Sequence, residues 1–273
     1  MRKLREYLNR PLSFVMFLLI IISTVITALT VVFIIGYIFI KGVPNLSLDL
    51  FSLKYSSSNQ SMLPSIINTV YLTALTLLLA VPIGIFSAIY LAEYSRKNSF
   101  FVKIINIANE TLSGIPSIVY GLFGFLAFVI SKKWGYSLLA GVITLAIMVL
   151  PLIIRTSQEA MLGVDNTFRE ASYGLGAGKL RTVFKIVLPS AMPGILSGII
   201  LAIGRIVGET AALIYTAGTV PEAATKLTSS SRTISVHLYC LLNEGLYTEQ
   251  AYATAVVLIV FVVIINALSN ALA

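Results

Sequence analysis

Long apolar runs separated by short polar segments set the pattern of this chain. They fall at approximately Phe14–Ile40, Ile66–Ala92, Ile104–Ile130, Leu138–Ile154, Met192–Ala217 and Ala253–Leu272. A helix needs roughly 20 residues to cross a bilayer, and only the fourth run falls clearly short. The runs are continuous rather than alternating, which favours helices over the strands of a membrane barrel. The pattern predicts an all-α integral membrane protein with about six transmembrane helices. The first run covers residues 14–40, longer than the roughly 7–15 apolar residues of a secretory signal. It reads as a retained first helix.

Composition supports this reading. Of 273 residues, 58% are hydrophobic and 11% charged, against about 25% charged in soluble domains. Lipid is therefore one of the solvents of the folded chain. The net charge of +8 does not point to nucleic acid, because the basic residues sit between apolar runs rather than on one face. They serve instead to orient the chain. Arg2, Lys3, Arg5, Arg10, Arg96, Lys97, Lys103, Arg155, Arg169, Lys179, Arg181 and Lys185 fall on one side, twelve in all. Lys41, Lys54, Lys132, Lys133, Lys226 and Arg232 fall on the other, and Arg205 lies inside the fifth run. The twelve-to-six split places both termini in the cytoplasm. One cysteine, Cys240, and one histidine, His237, form neither a disulfide framework nor a multi-ligand metal site.

The segment between the fourth and fifth runs, residues 165–189, is polar and long for a connection within a bundle. It reads as two short helices with an elbow at Gly174, Gly176 and Gly178. Leu180, Val183, Phe184 and Val187 form an amphipathic stripe on the second helix, and Pro189 ends it. An apolar stripe facing the cytoplasm has to rest on a partner protein or on the membrane interface. Gly178-Lys179 hints at a phosphate-binding loop, but Tyr173 stands where its first glycine belongs and Leu180 where its Ser or Thr belongs. ATP is therefore expected on another chain, and no cofactor on this one.

This segment resembles the coupling loop of binding-protein-dependent ABC importer permeases. It has Glu170-Ala171-Ser172, then Gly176, Ile186 and Leu188-Pro189 at the family's spacing, with Ser172 replacing an alanine. The resemblance gives these residues, with Leu180 and Phe184, the role of contacting the ATPase. It implies a type I permease domain over 63–273, after an N-terminus, first helix and outer loop over 1–62. The stretches 82–94, 112–123 and 204–213 are similar to phosphate-uptake permeases, and the last, with 214–217, is more similar to the PstA-type than to the PstC-type subunit. The chain departs from that pattern at its C-terminus, which stops at Ala273 without a short basic tail. The resemblance implies a bacterial or archaeal plasma (inner) membrane. It implies as partners a second, PstC-type permease, a pair of ABC ATPase subunits and an external phosphate-binding protein.

Arg205 and Glu209 lie four residues apart in the fifth run, so one helix would present both on the same face. A charge at this depth costs a few kcal/mol and belongs in a bundle interior or a wet cavity. The guanidinium fork suits phosphate oxygens, and Glu209 is expected to hold Arg205 between anions. The family resemblance ties both positions to transport. Glu110 is expected near the cytoplasmic mouth of the path, and Ser113, Gly114 and Pro116 at a gate or hinge. Alternatives are a permease for molybdate, tungstate or sulfate, a passive anion channel, a proton-coupled carrier, or a membrane-embedded enzyme. The enzyme would need a cluster of titratable groups in the spans that this sequence lacks.

Overall fold

The structure, a computed structural model, describes residues 11–95 and 99–272. Its helices are α1 (Pro11–Gly42), α2 (Leu63–Tyr94), α3 (Phe100–Ser113), α4 (Ser117–Ser131), α5 (Leu138–Leu162), α6 (Asn166–Gly174), α7 (Lys179–Gly208), α8 (Ala211–Thr216), α9 (Ile234–Glu244) and α10 (Thr248–Leu272). No strand occurs among the described residues. Five helices are long and apolar enough to cross a membrane, and α3 with α4 makes a sixth if that bent pair counts as one span.

Three boundaries correct the reading from hydropathy. The third run is not one rod, because α3 and α4 meet at an angle of 100° around Gly114–Pro116. The fourth run continues to Leu162, so Arg155 is on a helix rather than in a loop. The fifth run breaks after Gly208: Glu209 is extended, with ψ 129°, and α8 starts afresh at Ala211. Pro189 does not end its helix either. α7 runs through Pro189 and Pro193, with a wide π-helical turn over Val183–Val187 just before Pro189. Such a turn re-registers the backbone where a proline removes an N–H donor.

The core is built around α5. Leu145, Met148, Val149 and Ile153 of α5 are fully buried against Leu72 and Ala80 of α2, and against Ala202 and Ile206 of α7. Between membrane helices packing contacts replace the hydrophobic drive, so small residues set how closely backbones approach. A Cβ on Gly84 of α2 would lie 2.6 Å from the Ile153 side chain. A Cβ on Gly121 of α4 would lie 2.7 Å from Cα of Ala212 in α8. α1 stands apart and is exposed along nearly its whole length. It meets α10 through Tyr37 and Tyr252, whose rings meet edge to face at 5.9 Å.

Contacts between loops sort the chain into two faces. Tyr55 packs on His237, and Leu139 N–H donates to the Leu227 carbonyl. This puts the α1–α2 connection, the start of α5 and the 217–247 segment on one face. Arg169 pairs with Glu93, and Lys179 lies over the Tyr94 ring. This puts the end of α2 and the α5–α7 connection on the other, here called the coupling face. The alternation matches the grouping of loops that the charge count assumed. Arg2, Lys3, Arg5, Arg10, Arg96 and Lys97 lie outside the described residues.

Candidate translocation and coupling sites

On the coupling face, α6 starts with Asp165, whose carboxylate accepts the Thr167 N–H at 2.9 Å. The helix stops at Gly174, and the chain reverses through Gly176 at φ +79°, a conformation that a Cβ disfavours. α7 then begins at Lys179. The elbow is fastened from inside, where the buried hydroxyls of Ser172 and Thr182 lie 2.8 Å apart. Ser172, the departure from the family's alanine, is therefore a structural hydrogen-bonding residue. Phe168, Ala171, Leu175, Gly176, Arg181 and Ile186 line a groove of about 390 Å³. Leu175 and Leu180 are exposed, as are Glu170, Phe184 and Pro189. Ile186 and Leu188 are half-buried.

The expected stripe is split. Leu180 and Phe184 face out, whereas Val183 and Val187 are fully buried against Ala88, Ile89 and Met161. The reason is the wide turn, which moves the residues at i+3 and i+7 away from the face that a regular helix would give them. A further anchor was not foreseen. Arg169 of α6 holds Glu93 of α2 through two of its nitrogens, at 2.7 and 3.1 Å, and also donates to the carbonyls of Val164 and Met161.

Deeper in the molecule, the structure brings Arg205 to the α3–α4 bend. Tyr120, buried one turn into α4, donates its hydroxyl to the Leu112 carbonyl of α3 at 2.8 Å, across the bend at Ser113, Gly114 and Pro116. Arg205 lies within electrostatic reach of that hydroxyl. Tyr120 precedes the end of α4 at Ser131 by eleven residues, about 16 Å of helix, so its hydroxyl lies well inside the bent α3–α4 span. Glu209 does not face it as one helical turn would require. Its Oε1 accepts the Ala212 N–H at 3.0 Å and so caps α8. Among the described residues the ion pairs are Arg155–Glu159 and Arg169–Glu93, and neither includes Arg205.

Residues 80–273 match the family described as binding-protein-dependent transport system inner membrane component. The chain belongs to this family. It is 32% identical over 249 residues to the probable ABC transporter permease protein YqgI of Bacillus subtilis, covering 85% of this chain and 84% of that one. It is 35% identical over 218 residues to the phosphate transport system permease protein PstA of Haemophilus influenzae, covering 79% and 77%. The fold matches a bacterial alginate ABC transporter chain at a TM-score of 0.68 and 18% identity, over 99% of this chain and 96% of that one. It also matches a chain of the MetNI methionine ABC transporter at a TM-score of 0.58 and 16% identity, over 77% and 91%.

As a permease of this family, the chain is the membrane subunit of an ABC importer in the plasma membrane. It works with an ATPase and a substrate-binding protein and is not itself catalytic. Toward the coupling face this permease has a second polar site. Glu110, Asn106 and Asn109 of α3 and Arg155, Gln158 and Glu159 of α5 line a cavity of about 180 Å³. Arg155 and Glu159 pair at 2.9 Å with both side chains more than half exposed, and Glu110 acts on Arg155 from across the cavity. Hydropathy ended the fourth run at Ile154, so Arg155 was counted as a loop cation and Gln158 and Glu159 were not singled out. Their three- and four-residue spacing was the available sign that the helix continued.

Proposed function

We propose that this chain is the permease half of an ATP-driven importer of inorganic phosphate, paired with a second, PstC-type permease. Its groove around Gly176 would receive one of two ATPase subunits, and an external phosphate-binding protein would dock on the opposite face. The coupling face is then cytoplasmic, with Pro11 and Leu272 toward it, and the mechanism is alternating access. A movement of the ATPase pair pushes on α6 and α7, and the bend at Ser113–Pro116 opens or closes the path.

The observation that carries the reading is Arg205, which forms no ion pair among the described residues and lies within electrostatic reach of the Tyr120 hydroxyl that ties the bend together. A guanidinium there offers in-plane N–H donors to an oxyanion. The Arg155–Glu110 cavity supplies a second polar station toward the cytoplasm. The similarity to PstA permeases favours phosphate over other oxyanions.

The test is ATP-dependent phosphate uptake by vesicles containing all the subunits. Arg205→Ala should abolish uptake in a complex that still assembles. Arg205→Lys keeps the charge without the fork and should retain a small fraction. Full uptake by Arg205→Ala removes the residue from the path, and ATP-driven uptake of molybdate or sulfate in preference to phosphate replaces the substrate.

A further inference from the structure

On the face opposite the coupling segment, Arg232 is 4% exposed and His237 is 0% exposed. Arg232 closes the connection that leads into α9, a helix outside the candidate spans, and its backbone is held on both sides. Its N–H donates to the Val220 carbonyl, and its own carbonyl accepts from Asn68 Nδ2. The central guanidinium carbon lies over the Tyr55 ring, 4.7 Å from its centroid, and that ring packs edge-on against His237 at 6.4 Å. A cation over an aromatic face makes no hydrogen bond there and leaves the guanidinium N–H groups to find acceptors elsewhere. Two of those nitrogens, Nε and Nη2, are buried without a hydrogen-bond partner in the protein, and so are both ring nitrogens of His237.

The acidic residues of the same segment, Glu222 and Glu244, form no ion pair with Arg232 among the described residues. A buried cation whose edge donors are unmatched asks for an acceptor of opposite charge. Burial, and secondarily the charge of Arg232, hold His237 neutral with a pKa of about 3, while the nearby Gln60 backbone favours its charged form slightly. His237 therefore contributes one N–H and no charge, and the cluster carries a net charge of about one, suited to a monoanion. Above it lies the Tyr55–Gln60 turn, in which Tyr55 donates to Gln60 Oε1 at 2.7 Å and Gln60 adopts a φ of +45°.

We propose that Arg232 and His237 form a binding site for a small inorganic monoanion, chloride or dihydrogen phosphate, closed over by the Tyr55–Gln60 turn. The site is separate from Arg205 and does not depend on which substrate the importer carries.

Cys240, the single cysteine of the chain and one turn along α9 from His237, reports on the site. Burial pushes its thiol up, and the Arg232 charge, with a weaker hydrogen-bonding contribution from the same guanidinium, draws it part of the way back. An anion on the guanidinium cancels that attraction and covers the thiol, so alkylation slows for both reasons. The experiment follows alkylation of Cys240 by a small maleimide in the full complex, resolved by the intact mass of this chain. It compares gluconate, chloride and phosphate media of equal ionic strength.

The expected result is a saturable slowing of about threefold or more, the change that half a pKa unit gives at a fixed pH. Slowing by chloride alone or by phosphate alone identifies the anion. Arg232→Met should lose the response and Arg205→Met should keep it. If Arg232→Met does not assemble, Arg232→Lys should move the midpoint to at least about tenfold higher anion, because it loses the fork. Equal rates in all three media overturn the site. A response that survives Arg232→Met, or an unshifted midpoint in Arg232→Lys, does the same.

Discussion

The guanidinium of Arg169 sits 2.7 Å from the carboxylate of Glu93, joining α6 to the end of α2 across 76 positions of sequence. Their side chains are 13% and 6% exposed, so the pair is largely withdrawn from water. Removing one partner of such a pair typically costs about 3–5 kcal/mol, because the other charge is stranded. Glu93→Ala should therefore lower the melting temperature of the purified complex and loosen α6, which protease sensitivity at residues 165–178 would report. An unchanged melt and an unchanged cleavage pattern would mean that α6 is held by its packing alone.

Gly176 should matter through backbone conformation alone. Nothing lies within 4 Å of the position a Cβ would take, yet φ is +79°. A side chain there faces no clash and a strain of roughly 1–3 kcal/mol. Gly176→Val should leave membrane insertion intact and reduce both ATPase binding and ATP-driven uptake. Normal coupling in that variant would remove the elbow from the coupling role.

Glu209 and Arg205 should behave independently. Glu209→Gln keeps an oxygen that can accept from Ala212, so its effect on the melt should be small. Glu209→Ala loses the cap on α8, worth about 1 kcal/mol. Combining it with Arg205→Ala should restore neither stability nor uptake. A double variant that recovers both would show that the two residues pair during transport.

His237 makes stability depend on pH. Its folded pKa of about 3 lies below the ordinary imidazole value of 6.5, so the unfolded chain takes up a proton that the folded chain refuses. Stability should fall as pH drops below about 6.5 and continue to fall toward about 3, by up to roughly 1.4 kcal/mol per pH unit. The groups facing the ring are Arg232, the Tyr55 ring and the Gln60 backbone. Detergent melts between pH 7 and pH 5 should show this slope in the wild type and a flatter one in His237→Leu. Equal slopes would assign the acid sensitivity to other groups.

Orientation can be checked by single cysteines in a background with Cys240 replaced. Positions Lys54 and Thr228 should react with an impermeant thiol reagent from outside intact cells, and Lys179 should not. The reverse pattern would invert the proposed topology.

The parts legible in the sequence were those encoded by run length and by local spacing. Every helix that can span follows an apolar run, and the elbow at Gly174–Gly178 lies where its glycines placed it. Hydropathy averages over direction, so it registered the residues from Ile104 to Ile130 as one span and could not show a bend at Gly114–Pro116. It failed at Glu209 for the same reason, because Ala211–Ala217 is as apolar as the helix before it. Pro189 misled because a wide turn absorbs the missing donor. The Glu93–Arg169 and Asn68–Arg232 contacts join residues 76 and 164 positions apart, beyond the reach of any periodicity in one sequence.

The unbroken course of α7 has a mechanical consequence. Thirty residues make a rod about 45 Å long, with the groove around Gly176 at one end and Arg205 in the last turn at the other. On the proposed coupling, a push at the groove reaches the arginine along one continuous helix, without crossing a loop. The places where this rod can yield are the wide turn at Val183–Val187 and the internal proline Pro193. On the proposed coupling, the displacement that reaches Arg205 is therefore set by the compliance of these points in the helix as well as by the force applied at the groove.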